Sequence, residues 1–102
     1  MLAHSVYFSL HDNSESAVRA LIDGCHRYLS GHPGTLFYAA GTCSAIARPV
    51  SDRDYDVALV VVFPNVAAHD AYQEAPAHQQ FIAAFKDNWK KVRVFDATVA
   101  AG

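Results

Sequence analysis

Tyr72 and His78 stand six residues apart, on either side of Pro76. An imidazole titrates near neutrality, so it can take a proton and return it. A phenol hydroxyl can donate to an oxygen that gains negative charge when a proton is removed beside a carbonyl. Within one continuous helix, residues six apart are separated by about 600° of rotation and face nearly opposite ways. The pair can therefore share a cleft only if the helix breaks between them, and Pro76 supplies the break. Proline is disfavoured inside a helix and suits the first turn of a new one. His78 precedes Phe81 by three residues and Ile82 by four, which sets it on the buried stripe of that second helix. The competing reading is a core histidine bonded to a backbone carbonyl. For Tyr72 it is a core aromatic whose hydroxyl reaches the surface. His4, on the inward face of the first strand, points the same way as the pair. Three polar groups in an otherwise apolar pocket are the usual pattern of a small-molecule site.

The elements that must position these groups are legible from periodicity. Residues 3–10 alternate, with His4, Val6, Phe8 and Leu10 on one face, and predict a strand. Asp12 and Glu15 match capping-box spacing. Val18, Leu21, Ile22, Cys25 and Leu29 form one helical stripe, closed by Gly31. Residues 35–42 read as a second strand and 43–53 as a mobile loop. Residues 57–63, Val-Ala-Leu-Val-Val-Val-Phe, carry no polar side chain on either face. An antiparallel strand normally meets water on one side. This one must be covered twice, and in a chain of this size a second copy is the expected cover. Asn65 caps the next helix. After Pro76, helical spacing runs through His78, Phe81, Ile82, Phe85 and Trp89, with Lys90-Lys91 in the last turn. Residues 92–99 are the fourth strand. The order strand, helix, strand, strand, helix, strand predicts an α+β, ferredoxin-like βαββαβ fold with a four-stranded antiparallel sheet. Residues 1–102 are expected to form a single domain.

Composition removes several functions. With 52% hydrophobic residues, 18% charged residues and a net charge of −2, nothing advertises a polyanionic partner. The third strand lacks the aromatic and basic display of a single-strand RNA reader, so no nucleic acid is expected. No apolar stretch nears membrane length. The N-terminus has no basic region followed by an apolar run, so a cytoplasmic location is expected. Cys25 and Cys43 are read as buried reduced thiols, neither of them flanked as an activated nucleophile. Six histidines contain no His-x-x-x-His and the chain has no Cys-x-x-Cys. Neither a metal nor a cofactor is expected on that spacing. Lys90-Lys91 and the segment Arg93 to Asp96 read as solvated charge.

Taken together, these pieces resemble the stress-responsive dimeric α/β-barrel (Dabb) family over nearly the whole chain. The carriers are His4-x-Val6-x-Phe8-x-Leu10, Pro33-Gly34, Tyr55-Asp56-Val57-Ala58-Leu59 with Phe63, Tyr72-x-x-x-Pro76-x-His78, and Val92-x-Val94-x-Asp96. One departure is Ala75, where the family often has a histidine before the proline. The resemblance implies a homodimer in which two sheets close one barrel. Plant polyketide cyclases of this family use a Tyr and a His in a cleft between helices and sheet, with no cofactor. The matching positions here are Tyr72 and His78. His4, Val6, Phe8, Leu59, Phe81, Trp89, Val92 and Val94 would line that cleft. Two functions follow as expectations. One is binding of a small apolar or carbonyl-containing molecule. The other is cofactor-free acid–base catalysis of cyclase or monooxygenase type.

Overall fold

A computed structural model describes all of residues 1–102. In chain order it holds β1 (Leu2–Leu10), α1 (Glu15–Leu29), β2 (Phe37–Thr42), β3 (Val57–Phe63), α2 (Val66–Glu74), α3 (Pro76–Phe85), a 3-10 turn at Lys86–Asn88, and β4 (Trp89–Thr98). All strand pairs are antiparallel, in the sheet order β2-β3-β1-β4. This is the ferredoxin-like arrangement that the element order predicts. No helix is long and apolar enough to cross a membrane.

Period-two patterning decides which faces are buried. β1 turns His4, Val6, Phe8 and Leu10 inward, and β3 turns Val57, Leu59, Val61 and Phe63 inward. Register sets His4 opposite Val61 and Val6 opposite Leu59. Leu21, Cys25 and Leu29 of α1, Tyr72 of α2 and Phe81 of α3 complete the core on the helix side. Gly24 lets α1 approach α3 closely: a Cβ there would stand 2.2 Å from the Phe85 ring. Gly31 and Gly34, with φ of 74° and 82°, take the chain out of α1 through backbone that side chains disfavour.

Several local expectations are corrected. The α1 cap is Ser14, whose Oγ accepts from the Ala17 amide. Asp12 instead accepts from the Ser14 amide, and this bond holds its carboxyl below the usual range. Trp89 is not helical and Lys90-Lys91 do not end a helix, because α3 stops at Phe85 and all three residues open β4. The cause is Asn88. Its side chain donates to the Asp12 carbonyl and accepts from the Asp12 amide, and its own carbonyl accepts from the His11 amide. These bonds pin the helix exit to the end of β1. Trp89 still packs on Phe8 and Phe81, which is why it fits the helical period. β2 begins at Phe37 rather than Thr35. Cys25 is buried, but Cys43 is partly exposed. The segment Arg93 to Asp96 is not simply solvated. Arg93 ties the loop before β3 to β4 by bonding Asp52 at 2.7 Å and the Asp54 carbonyl at 3.0 Å.

The far face of the sheet carries Tyr7, Ala58, Val60, Val62, Phe37 and Phe95. Phe37 is 55% exposed and Phe95 56%. Tyr7 meets Phe95 and Tyr55 edge to face. The molecule is a slab of 35 × 34 × 17 Å. Its accessible surface of 6217 Å² exceeds the roughly 5,700 Å² expected for a monomer of this mass.

Candidate functional site

The α2–α3 break is built at Ala75 and Pro76. Ala75 caps α2 in extended backbone, with ψ of 140°. Its carbonyl then receives the His78 and Gln79 amides as α3 begins. Pro76 occupies the first turn, where no backbone donor is needed. The change of direction brings the Tyr72 and His78 rings together, with centroids 4.9 Å apart and planes 76° apart.

Both rings border a partly open cavity of about 170 Å³ between the helices and the sheet. β1 contributes His4, Val6 and Phe8 to its wall, and β3 contributes Leu59. Phe81 comes from α3, and Trp89, Val92 and Val94 come from β4. The structure thus brings all ten residues singled out in the sequence to one cavity. Leu29, Gln73 and Ile82 also line it. Sequence reasoning missed these three, although Ile82 lies on the same helical stripe as His78.

Several residues that line the cavity carry buried polar atoms without protein partners. Four such side-chain atoms occur in the chain: Thr35 Oγ1, Tyr72 Oη, His78 Nδ1 and Trp89 Nε1. The last three belong to cavity residues. Leaving a buried donor or acceptor unpaired costs about 1–3 kcal/mol, so their concentration in one place calls for a cause.

The electrostatics separate the two central groups. Burial, followed by the nearby His4, His32 and His69, holds the His78 pKa below its usual 6.5. Its imidazole is therefore neutral at pH 7 and can accept a proton. Burial also pushes the Tyr72 hydroxyl well above the ordinary phenol range, so it remains protonated and can donate. Burial raises the Cys25 thiol to about 12, which leaves it inert as a nucleophile.

His4 is only 4% exposed. Its Nδ1 lies 2.5 Å from Asp96 Oδ1, because antiparallel register sets the two residues opposite each other. Asp96 shares its face of β4 with Val92 and Val94, a period-two signal present in the sequence. His32 and His69 also converge here, with His32 stacked edge-on to Tyr72 at 5.1 Å and His69 edge-on to His4 at 5.1 Å. Neither was singled out. His69 lies three residues before Tyr72, on the same side of α2, and that spacing was the available signal.

Comparisons with known proteins agree with this architecture. No curated protein has a matching sequence. A Dabb family protein with a ferredoxin-like fold from Mesorhizobium loti superposes with a TM-score of 0.79 at 20% identity, over 98% of this chain and 97% of its own. A dimeric ferredoxin-like protein from Thermobifida fusca gives 0.79 at 19% identity, over 96% and 90%. The hydroxynitrile lyase of Passiflora edulis gives 0.77 at 18% identity, over 99% and 94%. Identities this low establish the fold alone. The family model described as the stress responsive A/B barrel domain matches residues 2–99, nearly the full length, and the chain belongs to that family.

Proposed function

We propose that this Dabb protein binds one small, mostly apolar molecule carrying a carbonyl-type oxygen in the cavity beside Tyr72 and His78. The observation that carries the reading is the set of three unpartnered buried polar atoms, Tyr72 Oη, His78 Nδ1 and Trp89 Nε1, in residues of a mostly apolar lining. Trp89 offers a donor only, and Tyr72 a donor held protonated. A ligand oxygen satisfies such donors, while apolar contact with Val6, Phe8 and Phe81 supplies the binding energy. The volume matches a compact ligand. An apolar cavity of about 150 Å³ is large enough for benzene.

Trp89 is the single tryptophan of the chain, so its fluorescence reports the cavity. Titration with single-ring aromatic carbonyl compounds should quench it saturably. Val94→Phe, at the half-exposed rim, should weaken the effect. A flat response to every compound of such a panel would overturn the binding reading.

A second reading is favoured by the Tyr72–His78 geometry. In it the same site is a cofactor-free acid–base enzyme, with His78 removing a proton beside the ligand's carbonyl and Tyr72 donating to the oxygen that becomes negative. The fold's occurrence in a hydroxynitrile lyase is compatible with this but does not transfer that activity. With a turned-over substrate in hand, His78→Ala should lower kcat by about 10²–10⁴-fold, the range for a lost general base. Tyr72→Phe should cost less if the hydroxyl only orients. Unchanged turnover in His78→Ala would leave the binding reading alone standing. The chain is also proposed to act as a homodimer through the apolar far face of its sheet.

A further inference from the structure

We propose that His4, His69 and Asp96 form a binding site for a divalent first-row transition metal of the zinc class, at the edge of the cavity. The three come from β1, α2 and β4, and one ligating atom of each lies within 4.8 Å of the other two. Two imidazoles and a carboxylate are a common donor set for zinc-class ions, and three protein ligands leave one tetrahedral position open. Of the three, His4 also lines the cavity. The inference does not depend on the cavity's being occupied.

The simpler account of the cluster is a hydrogen bond between His4 Nδ1 and Asp96 Oδ1, at 2.5 Å. It gives His69 no part beyond edge-to-face packing on His4 and Phe63. His69 packs against the same imidazole and has its own carboxylate, Asp70 Oδ1, 3.1 Å from Nδ1. A carboxylate that fixes the proton on one ring nitrogen leaves the other as a lone-pair donor, which is the usual outer-shell arrangement of a metal-bound histidine. His4 has a comparable neighbour, the Gln73 side-chain amide 3.5 Å from its Nε2. With the amide oxygen turned toward it, Gln73 can accept from Nε2–H and free Nδ1 for the ion.

Binding requires the three ligating atoms, now within 4.8 Å of one another, to close around the ion. Ligands about 2.1 Å from a tetrahedral ion lie about 3.4 Å from one another. The ion replaces the proton between His4 and Asp96, and the carboxylate withdraws by somewhat under ~1 Å. His4 is fixed in the core, whereas the Asp96 side chain is 41% exposed. No local motif announces such a site, because its ligands are separated by 65 and 27 residues in the chain.

The test uses untagged, chelator-treated protein titrated with Co²⁺, followed by its visible absorption and then by Zn²⁺ displacement. One ion per chain with a tetrahedral spectrum is expected. His69→Ala and Asp96→Asn should each weaken affinity by at least ~10-fold, and Asp70→Ala by up to about that factor through loss of orientation. His26→Ala, at an exposed histidine outside the cluster, should change nothing. Circular dichroism establishes that each variant is folded. His69 and Asp96 are preferred to buried His4 because both are partly solvent-exposed and their replacement spares the core. No Co²⁺ spectrum in the wild type overturns the proposal, as does an affinity unchanged in folded His69→Ala and Asp96→Asn.

Discussion

His78 is a half-buried imidazole whose charge is opposed twice, by lost hydration and by the histidines around it. The consequence for stability has a definite sign. An unfolded chain takes up this proton near pH 6.5, whereas the folded chain takes it up only at lower pH. Below 6.5 the unfolded state therefore binds more protons, and the folded state loses stability as pH falls. Above that value both forms are neutral and this group contributes no pH dependence. Urea unfolding at pH 7.5 and 5.5 should show a loss of stability in the wild type that is smaller in His78→Gln. An equal loss in both would mean that His78 is not the group responsible. Tyr72 differs in kind. Its hydroxyl stays protonated throughout this range, so its contribution as a donor does not vary with pH.

At the scale of elements, the site depends on how α1 and the broken α2–α3 segment lie on the sheet. At Gly24, α1 meets the Phe85 ring of α3. The ring of Phe85 occupies the space of its missing side chain and continues through Phe81 to the cavity wall. Gly24→Ala would force that ring aside, since the new Cβ would lie 2.2 Å from Cε2 and 2.3 Å from Cζ. Overpacking costs about 1–3 kcal/mol, against about 1 kcal/mol gained by removing a helical glycine. Chemical denaturation should show a net loss of stability, with reduced quenching of Trp89 by any cavity ligand. A variant more stable than the wild type would show that Phe85 can rotate away freely and that this packing does not constrain the wall.

For the whole molecule, the decisive feature is a two-layer slab with one layer uncovered. Ala58, Val60 and Val62 alternate with the core residues of β3, and Tyr7 and Phe95 extend their patch across β1 and β4. Contiguous apolar surface of this kind marks an interaction site in soluble proteins. The Lys90-Lys91 pair lies on the edge strand β4, where charge discourages sheet-to-sheet growth. Face-to-face pairing of two sheets is the proposed arrangement. Sedimentation should find a dimer at micromolar concentration, and Val60→Asp should give monomer or insoluble protein, because it buries an unpaired charge. A stable wild-type monomer would defeat the proposal.

The sequence by itself determined the order of elements, the inward faces of β1 and β3, the apolar outer face and the break at Pro76. Each of these rests on short-range physics: alternation along a strand, periodicity along a helix, and a proline without an amide proton. The wall residues from Val6 to Val94 came from the resemblance to the Dabb family, and the alternation along β1 and β3 agrees with that set for Val6, Phe8 and Leu59. Local patterns failed where distant chain segments supply the partner. Asp12 and Glu15 have capping spacing, yet Ser14 caps α1 while Asp12 is engaged by Asn88, 76 residues away. Trp89 fits a helical period, yet the same Asn88 bonds end the helix before it. Asp96 reads as surface charge, yet register across β1 and β4 sets it against His4, 92 residues earlier. The gathering of His4, His32 and His69 about Tyr72 likewise comes from three separate parts of the chain. Only tertiary structure decides such meetings, because they depend on strand register and on the angle between packed layers, which no local run of residues encodes.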